Sequence, residues 1–422
     1  MDQASETQVK RRRVFYIPGY DPIHPRRYRE LYRTESAAQS EISGYDIGIS
    51  PLSGEHYGWQ VQATIEGIAT TAEVEVLVWS DIVRTSMASS IPATYLQLVR
   101  TTYTYIASGT LRRLMWLRKG PVIAALYPVG MLLAQLLTAI VLGRLAGRLV
   151  SSPAGLIPLR DDGAMFTAAR LLEGALYYPA LVAVCVVVLR TFKKYDNKFF
   201  AYYLMHDYAY SAHWNGSTPP ELEARMTEFR AAIAGALHDE VDEVLVVGHS
   251  SGAHLAVSVL ADLIRGGGVP QHGPALAFLS LGQVVPMVSF LPKADRLRAD
   301  LRFLSTRDEL TWVDVTAPGD GCAFALCDPV AVSGVAPRGQ KWPLVMSAAF
   351  TKTLSPARWK ALRWKFFRLH FQYLCAFDRV ESYDYFRITA GPMTLAQRYR
   401  GRTSSKSRID LPASKYTSVQ AE

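Results

Sequence analysis

Cysteine is scarce in this chain: four in 422 residues, Cys185, Cys322, Cys327 and Cys375. Cys322 and Cys327 lie five apart with no matching second pair and no nearby histidine, and Cys185 sits in an apolar segment. This spacing argues against a paired-cysteine metal site and against a disulfide-stapled fold. Reduced, buried thiols in a cytoplasmic domain are expected, with no metal and no cofactor. A signal-peptide core is also missing. Met1 to Arg13 is polar and then basic through Lys10, Arg11, Arg12 and Arg13, so no cleaved secretory signal is expected. An aromatic-and-basic RNA-binding module is absent too. The net charge is +9, but the basic residues gather at the two termini and beside apolar segments. That pattern suits an anionic membrane surface better than nucleic acid, and no nucleic-acid partner is expected.

Long runs without charge are present. Gly120 to Leu142 is twenty-three residues with no charged side chain, enough to span a bilayer. A second apolar stretch, Leu171 to Leu189, is broken by Glu173 and holds Pro179, so it reads as a span or as a re-entrant segment. Residues 91–118, with many aromatics and arginines, read as an interfacial amphipathic helix. Arg112, Arg113, Arg118 and Lys119 flank the hairpin on one side and Arg190, Lys193, Lys194 and Lys198 on the other. The loop between carries Arg144, Arg148, Arg160 and Arg170. The bias places both termini and the main body in the cytoplasm.

The stretch around which the chain is organised is 241–265. Val244 to Val247 reads as a buried strand, and Leu255, Val259, Leu260, Leu263 and Ile264 recur at helical spacing. Between them Gly248-His249-Ser250-Ser251-Gly252 fits G-x-S-x-G, the nucleophile elbow. The bare pattern arises by chance in roughly one chain in ten of this length, so the strand before and the helix after carry the argument. Ser250 on such a turn projects its hydroxyl into a cleft, and the Ser251 N–H at the helix start is suited to an oxyanion. Upstream, the strand Val14 to Ile17 runs into Pro18-Gly19-Tyr20, where Gly19 and Tyr20 are placed to supply a second oxyanion N–H.

Where such an elbow forms a triad, the acid and then the base follow it along the chain. Three histidines follow Ser250. His254 is on the elbow helix, and His272 precedes any late strand that could deliver an acid, which leaves His370. For the acid, Asp320 follows a strand (Leu310 to Val315) in a glycine turn. Asp328 is a rival, and Asp314 lies inside the strand.

These residues together resemble the α/β-hydrolase superfamily, and the chain as a whole looks like a bacterial, membrane-embedded branch of it. Trp312-Val313-Asp314 and Tyr383-Asp384-Tyr385-Phe386 are similar to that branch. The resemblance implies an α/β fold with a mostly parallel sheet flanked by helices. It also implies serine-hydrolase (esterase- or lipase-like) cleavage of an ester, thioester or amide. The chain departs from the common pattern in showing no early hairpin before Val14, in carrying the apolar insertion, and in placing His370 on a helix, the basic and aromatic stretch 356–375. The expected organisation is a basic tail 1–13, hydrolase parts 14–85 and 216–397, a membrane-associated insertion 86–215 with helices about 120–142 and 171–189, and a disordered basic tail 398–422. Membrane lipids and an apolar ester are the expected partners. A catalytically inactive scaffold on the same fold is the alternative.

Overall fold

A computed structural model describes residues 8–52, 57–87, 90–155 and 163–419. The basic loop between the apolar helices is therefore described except for 156–162, where Arg160, Asp161 and Asp162 fall. The chain divides into two units, residues 1–86, 103–123 and 211–422 in the first and 87–102 and 124–210 in the second.

The first unit is an α/β structure built on an eight-stranded mixed sheet. Its strands are β1 (Arg11–Ile17), β2 (Asp46–Pro51), β3 (Gly58–Ile65), β4 (Ile68–Val76), β5 (Glu243–His249), β6 (Ala275–Leu281), β7 (Leu310–Thr316) and β8 (Leu344–Ser347). In space the order is β2-β3-β4-β1-β5-β6-β7-β8. The β2-β3-β4 meander is antiparallel, and every pairing from β4 through β1 to β8 is parallel. A hairpin is thus present, but it follows β1 in the chain instead of preceding it. Its tight turn is Glu66-Gly67, both at positive φ (57° and 76°), the handedness that matches the twist of two flanking strands. The meander leaves β1 in the interior, between β4 and β5, so the Pro18-Gly19-Tyr20 turn emerges beside the elbow.

Parallel strands are covered on both faces and read as continuous apolar runs. β5 is buried at all seven positions. On one face Val14, Tyr16, Val61, Val74, Leu245, Val247, Leu279 and Val313 pack with Tyr32, Tyr383 and Phe386. Helix Gly252–Arg265 packs against β5 on the elbow side, flanked by helices Pro220–Ala236 and Asp295–Leu304.

Four expectations need correction. Arg11 to Arg13 are part of β1 and not of a basic tail. Arg12 is buried and pairs with Glu243 at 2.6 Å, both side chains being 1% exposed, and it also donates to the carbonyls of Gly391 and Met393. The stretch 91–118 forms two helices, Ile91–Ala107 and Thr110–Leu117, separated at Gly109. The run 356–375 also breaks, into helices Pro356–Leu362 and Phe366–His370 and a 3₁₀ turn Phe371–Leu374. Leu369, His370, Gln372, Tyr373 and Leu374 are all buried, more than one face of a continuous surface helix would cover. Finally, the basic C-terminal segment is packed. Ser405 N–H donates to Val345, Ile409 N–H to Leu326 and Ala413 N–H to Val332, while Arg113 and Arg298 hold the carbonyls of Ala413 and Ser418. Backbone pairing thus overrides a composition that reads as disordered.

Two helices are long and apolar enough to cross a membrane, Lys119–Ser152, whose residues from Ala124 onward belong to the second unit, and Phe166–Lys194 within that unit, each with a mean hydropathy of 2.0 in its most apolar window. Pro179 lies inside helix Ala164–Lys194, which continues through it. The two helices approach closely where small residues recur four apart. A Cβ at Gly143 would come within 2.8 Å of the Cys185 sulfur and the Leu181 carbonyl, and one at Gly147 within 2.8 Å of the Tyr177 ring. Cys185 also hydrogen-bonds across to the Ala139 carbonyl at 3.2 Å.

Removing one member of the Arg12–Glu243 pair strands a buried charge. Arg12→Met is expected to destabilise the fold by about 3–5 kcal/mol. Arg12→Met/Glu243→Gln is expected to cost less than Arg12→Met alone. Denaturant or thermal unfolding in detergent checks the order; a single variant as stable as the double contradicts it.

Candidate active site

The elbow is a backbone construction. β5 ends at His249, helix Gly252–Arg265 follows at once, and Ser250 between them has φ 57°. A non-glycine residue in this left-handed region costs of order 1–3 kcal/mol and persists only where its surroundings hold it. They do so here: Ser250 N–H donates to the Leu281 carbonyl at 2.9 Å, and Ala253 N–H to the Ser250 carbonyl at 3.1 Å. The flanking glycines are required by contact. A Cβ at Gly248 would sit 2.8 Å from Ala253 Cα, and one at Gly252 would overlap the carbonyls of Ile17 and Pro18. Ser251 is the residue preceding the helix, and its N–H makes no hydrogen bond among the described residues.

The Pro18-Gly19-Tyr20 turn lies against the serine. A Cβ at Gly19 would be 3.0 Å from Ser250 Cβ and 3.4 Å from Ser250 Oγ. Trp79 Nε1–H donates to the Pro18 carbonyl at 2.9 Å, the Tyr20 hydroxyl meets Ser86 Oγ at 2.5 Å, and the Tyr20 and Trp79 rings pack edge to face. Those contacts fix the turn without using its Gly19 side.

Asp320 and His370, fifty residues apart, meet at 2.7 Å through Asp320 Oδ2 and His370 Nδ1. Both are buried. Asp320 also accepts from the Tyr373 hydroxyl (3.0 Å) and the Cys322 N–H (2.8 Å). Burial by itself raises the pKa of Asp320. The facing His370 charge and the hydrogen bonds from His370, Cys322 and Tyr373 outweigh burial and hold the carboxyl below its ordinary value. With Nδ1 engaged by the carboxylate, Nε2 is the ring nitrogen left to accept a proton. Among the described residues Nε2 is buried and has no hydrogen-bond partner, Ser250 Oγ included. The Cε1 edge of the ring lies against Gly282, where a Cβ would be 3.0 Å away; Gly282 directly follows Leu281, the acceptor of Ser250 N–H.

His249 has a part that the elbow motif does not disclose. Its Nε2–H donates to the His370 carbonyl at 3.0 Å, and the two rings lie 4.9 Å apart. Burial, reinforced by the His370 charge, pushes its pKa down to about 3, so it stays neutral and acts as a backbone tether for His370. Tyr373 is the other residue not foreseen. In the tight 3₁₀ turn side chains three apart eclipse, which lets His370 and Tyr373 reach the same carboxylate oxygen.

The two rival acids are employed elsewhere. Asp314 points into the sheet, where its Oδ1 accepts from Ser280 Oγ at 2.6 Å and Oδ2 has no partner among the described residues. Asp328 caps the short helix Pro329–Val332 through the N–H groups of Val330 and Ala331 and accepts from Gln340. A glycine turn after a strand delivers a carboxylate to the sheet edge; a position within the strand or at a helix cap does not.

Among the described residues, Asp320, Cys322 and His370 form a group whose ligand atoms lie within 4.8 Å of one another. The carboxylate is already engaged by His370, Tyr373 and the Cys322 backbone, so a metal would have to displace these bonds. The donor set fits a hydrogen-bonded acid–imidazole pair better than a cation site. Comparison with protein-family models, curated proteins and solved structures yields no match.

Asp314 gives a test of how this sheet edge is buried. Desolvation raises its pKa to about 8. The folded state therefore keeps a proton that the unfolded chain, near the ordinary carboxylate value, releases. Stability should fall as pH rises from about 4 towards 8. Asp314→Asn is expected to flatten that fall, read as unfolding midpoints at pH 5 and pH 8; an unchanged slope contradicts it.

Proposed function

We propose that the chain is a membrane-anchored serine hydrolase of α/β-hydrolase type that cleaves a carboxylic ester of a lipid or another apolar acyl group. The observation that carries this reading is the conjunction at one sheet edge: Ser250 held at positive φ on a strand-to-helix turn, beside His370 whose Nδ1 is engaged by a buried Asp320 and whose Nε2 has no partner among the described residues.

Ser250 Oγ attacks the ester carbonyl carbon and its proton passes to His370 Nε2. The carbonyl oxygen becomes an oxyanion, for which the backbone N–H groups of Ser251 and Tyr20 are the donors; one such donor is typically worth about 3–4 kcal/mol. Asp320 stabilises the imidazolium and keeps Nδ1 protonated throughout. The ester C–O bond breaks, and the leaving alcohol takes the proton from Nε2. Water then adds to the acyl-enzyme with His370 as base, releasing the carboxylic acid and restoring Ser250. No redox change occurs, and no cofactor enters the scheme.

The membrane part of the reading rests on the two apolar helices. Only 22% and 0% of their most apolar windows are buried, whereas the core helix of a soluble protein buries most of its surface. The hairpin spans the bilayer, and the basic flanks set the sheet-bearing unit and both termini on the cytoplasmic side. A non-catalytic scaffold is the second reading. It is favoured by the missing hydrogen bond at His370 Nε2, although such bonds are often long before substrate binds.

A fluorophosphonate probe tests the chemistry on detergent-solubilised protein. Wild type is expected to label, Ser250→Ala to lose labelling, and His370→Ala and Asp320→Asn to slow it by about 10³-fold or more. Folded wild type that does not label would favour the scaffold. Labelling unaffected by His370→Ala would remove His370 as the base.

A further inference from the structure

Behind Asp320, at the same edge of the sheet, lies an open cavity of about 660 Å³ that the scheme above does not use. It is lined by the loop that follows β7 and carries Asp320, by the segment leading into the first apolar helix, and by the turn before helix Phe366–His370, all within the first unit. Three cations line it: Arg118, Lys119 and Arg363. The Arg118 guanidinium is pinned by two hydrogen bonds to the Ala325 carbonyl, 2.9 and 2.6 Å, which fixes its charge in the wall. Among the described residues, neither Lys119 nor Arg363 takes part in an ion pair. The one carboxylate in the lining, Asp320, is 2% exposed with both oxygens engaged inward. The cavity therefore presents positive charge that the protein does not neutralise.

Its rim is apolar. Trp364 is 72% exposed, Trp116 67% and Phe366 45%. The Arg363 guanidinium lies over the Trp364 ring, 5.6 Å from its centroid. Large aromatics left in solvent next to cations that no carboxylate neutralises are costly in water and favoured at a bilayer interface, where rings sit at head-group depth and basic side chains meet anionic lipid. Lys119 is also the first residue of the helix long enough to cross a membrane. Cations inside, aromatics at the rim and a membrane-length helix starting at the edge match one ligand chemistry.

We propose that this cavity binds the anionic, phosphate-type head group of a membrane amphiphile, with Arg118, Lys119 and Arg363 at the charge and Trp116, Trp364 and Phe366 along the first part of its chain. The proposal rests on the membrane half of the reading above and not on the serine chemistry. Alkaline carbonate extraction of membranes tests membrane residence separately.

The binding test uses Ser250→Ala protein in zwitterionic nanodiscs, titrated calorimetrically with hexyl phosphate, inorganic phosphate or octyl glucoside, with empty nanodiscs subtracted. Hexyl phosphate is expected to bind saturably and more weakly as salt rises. Lys119→Gln/Arg363→Gln is expected to weaken it roughly tenfold, the size of two partly desolvated charge contacts. Trp364→Ala should weaken hexyl phosphate more than inorganic phosphate, and Lys341→Gln, on a different surface, should change neither. Unaltered unfolding midpoints show that the variants fold. Equal affinity for hexyl and inorganic phosphate would replace the amphiphile with a free-phosphate site. Binding indifferent to the double variant, or octyl glucoside binding as well as hexyl phosphate, would overturn the proposal. Because Ser250 is absent throughout, failure here leaves the hydrolase reading to its own labelling test, and the converse holds.

Discussion

The backbone contact at Gly252 is the constraint on which the site depends. The start of the elbow helix lies so close to the end of β1 that a Cβ there would overlap the Ile17 and Pro18 carbonyls. That approach sets three things together: the height of the helix over the sheet, the strained turn at Ser250, and the proximity of the Pro18-Gly19-Tyr20 turn to the serine. It is possible because β1 is the direct parallel neighbour of β5, with Ile17 opposite Gly248 in register. A strand order that put another element beside β5 would leave the elbow without its second wall.

The remaining parts of the site come from the far side of β5. β6 and β7 end at the same edge, so Leu281 anchors the Ser250 N–H and the turn after β7 presents Asp320. His370 reaches this edge on a short helix that ends in a 3₁₀ turn, and it is held at three points: Nδ1 by Asp320, the main chain by His249, and the ring edge by the bare face of Gly282. Few of these contacts are local in sequence. They exist because parallel strands deliver their carboxyl ends, and the loops that follow, to one side of the sheet.

Much of the candidate site's geometry was legible because its local grammar is strong. Ser250 followed from glycines two residues to either side, between a strand and a helix. Asp320 was separable from Asp314 because a residue inside a strand faces the sheet, whereas one in a following turn does not. Tyr373 and the tether role of His249 were not legible: a tyrosine in an aromatic segment has no marker for a carboxylate fifty-three residues away. The break of 356–375 was hidden for a related reason, since a helix-favouring composition carries no sign of how many of its faces will be buried. Arg11 to Arg13 and the segment after Arg398 read as solvated tails because charge density is a statement about average solvation. The Glu243 carboxylate and the free carbonyls of Leu326 and Val332 supply particular partners that an average does not contain.

The sequence by itself determined the elements whose cause is local. These are the apolar run of β5, the elbow motif, and two helices long and apolar enough to cross a membrane, each set by periodicity or composition within a few turns of chain. Tertiary structure alone decided which strand lies beside β5, which carboxylate meets His370, and that the meander follows β1 instead of preceding it. Those outcomes turn on contacts between residues tens to hundreds of positions apart, whose energies appear only when the sheet is assembled and its buried polar groups must find partners.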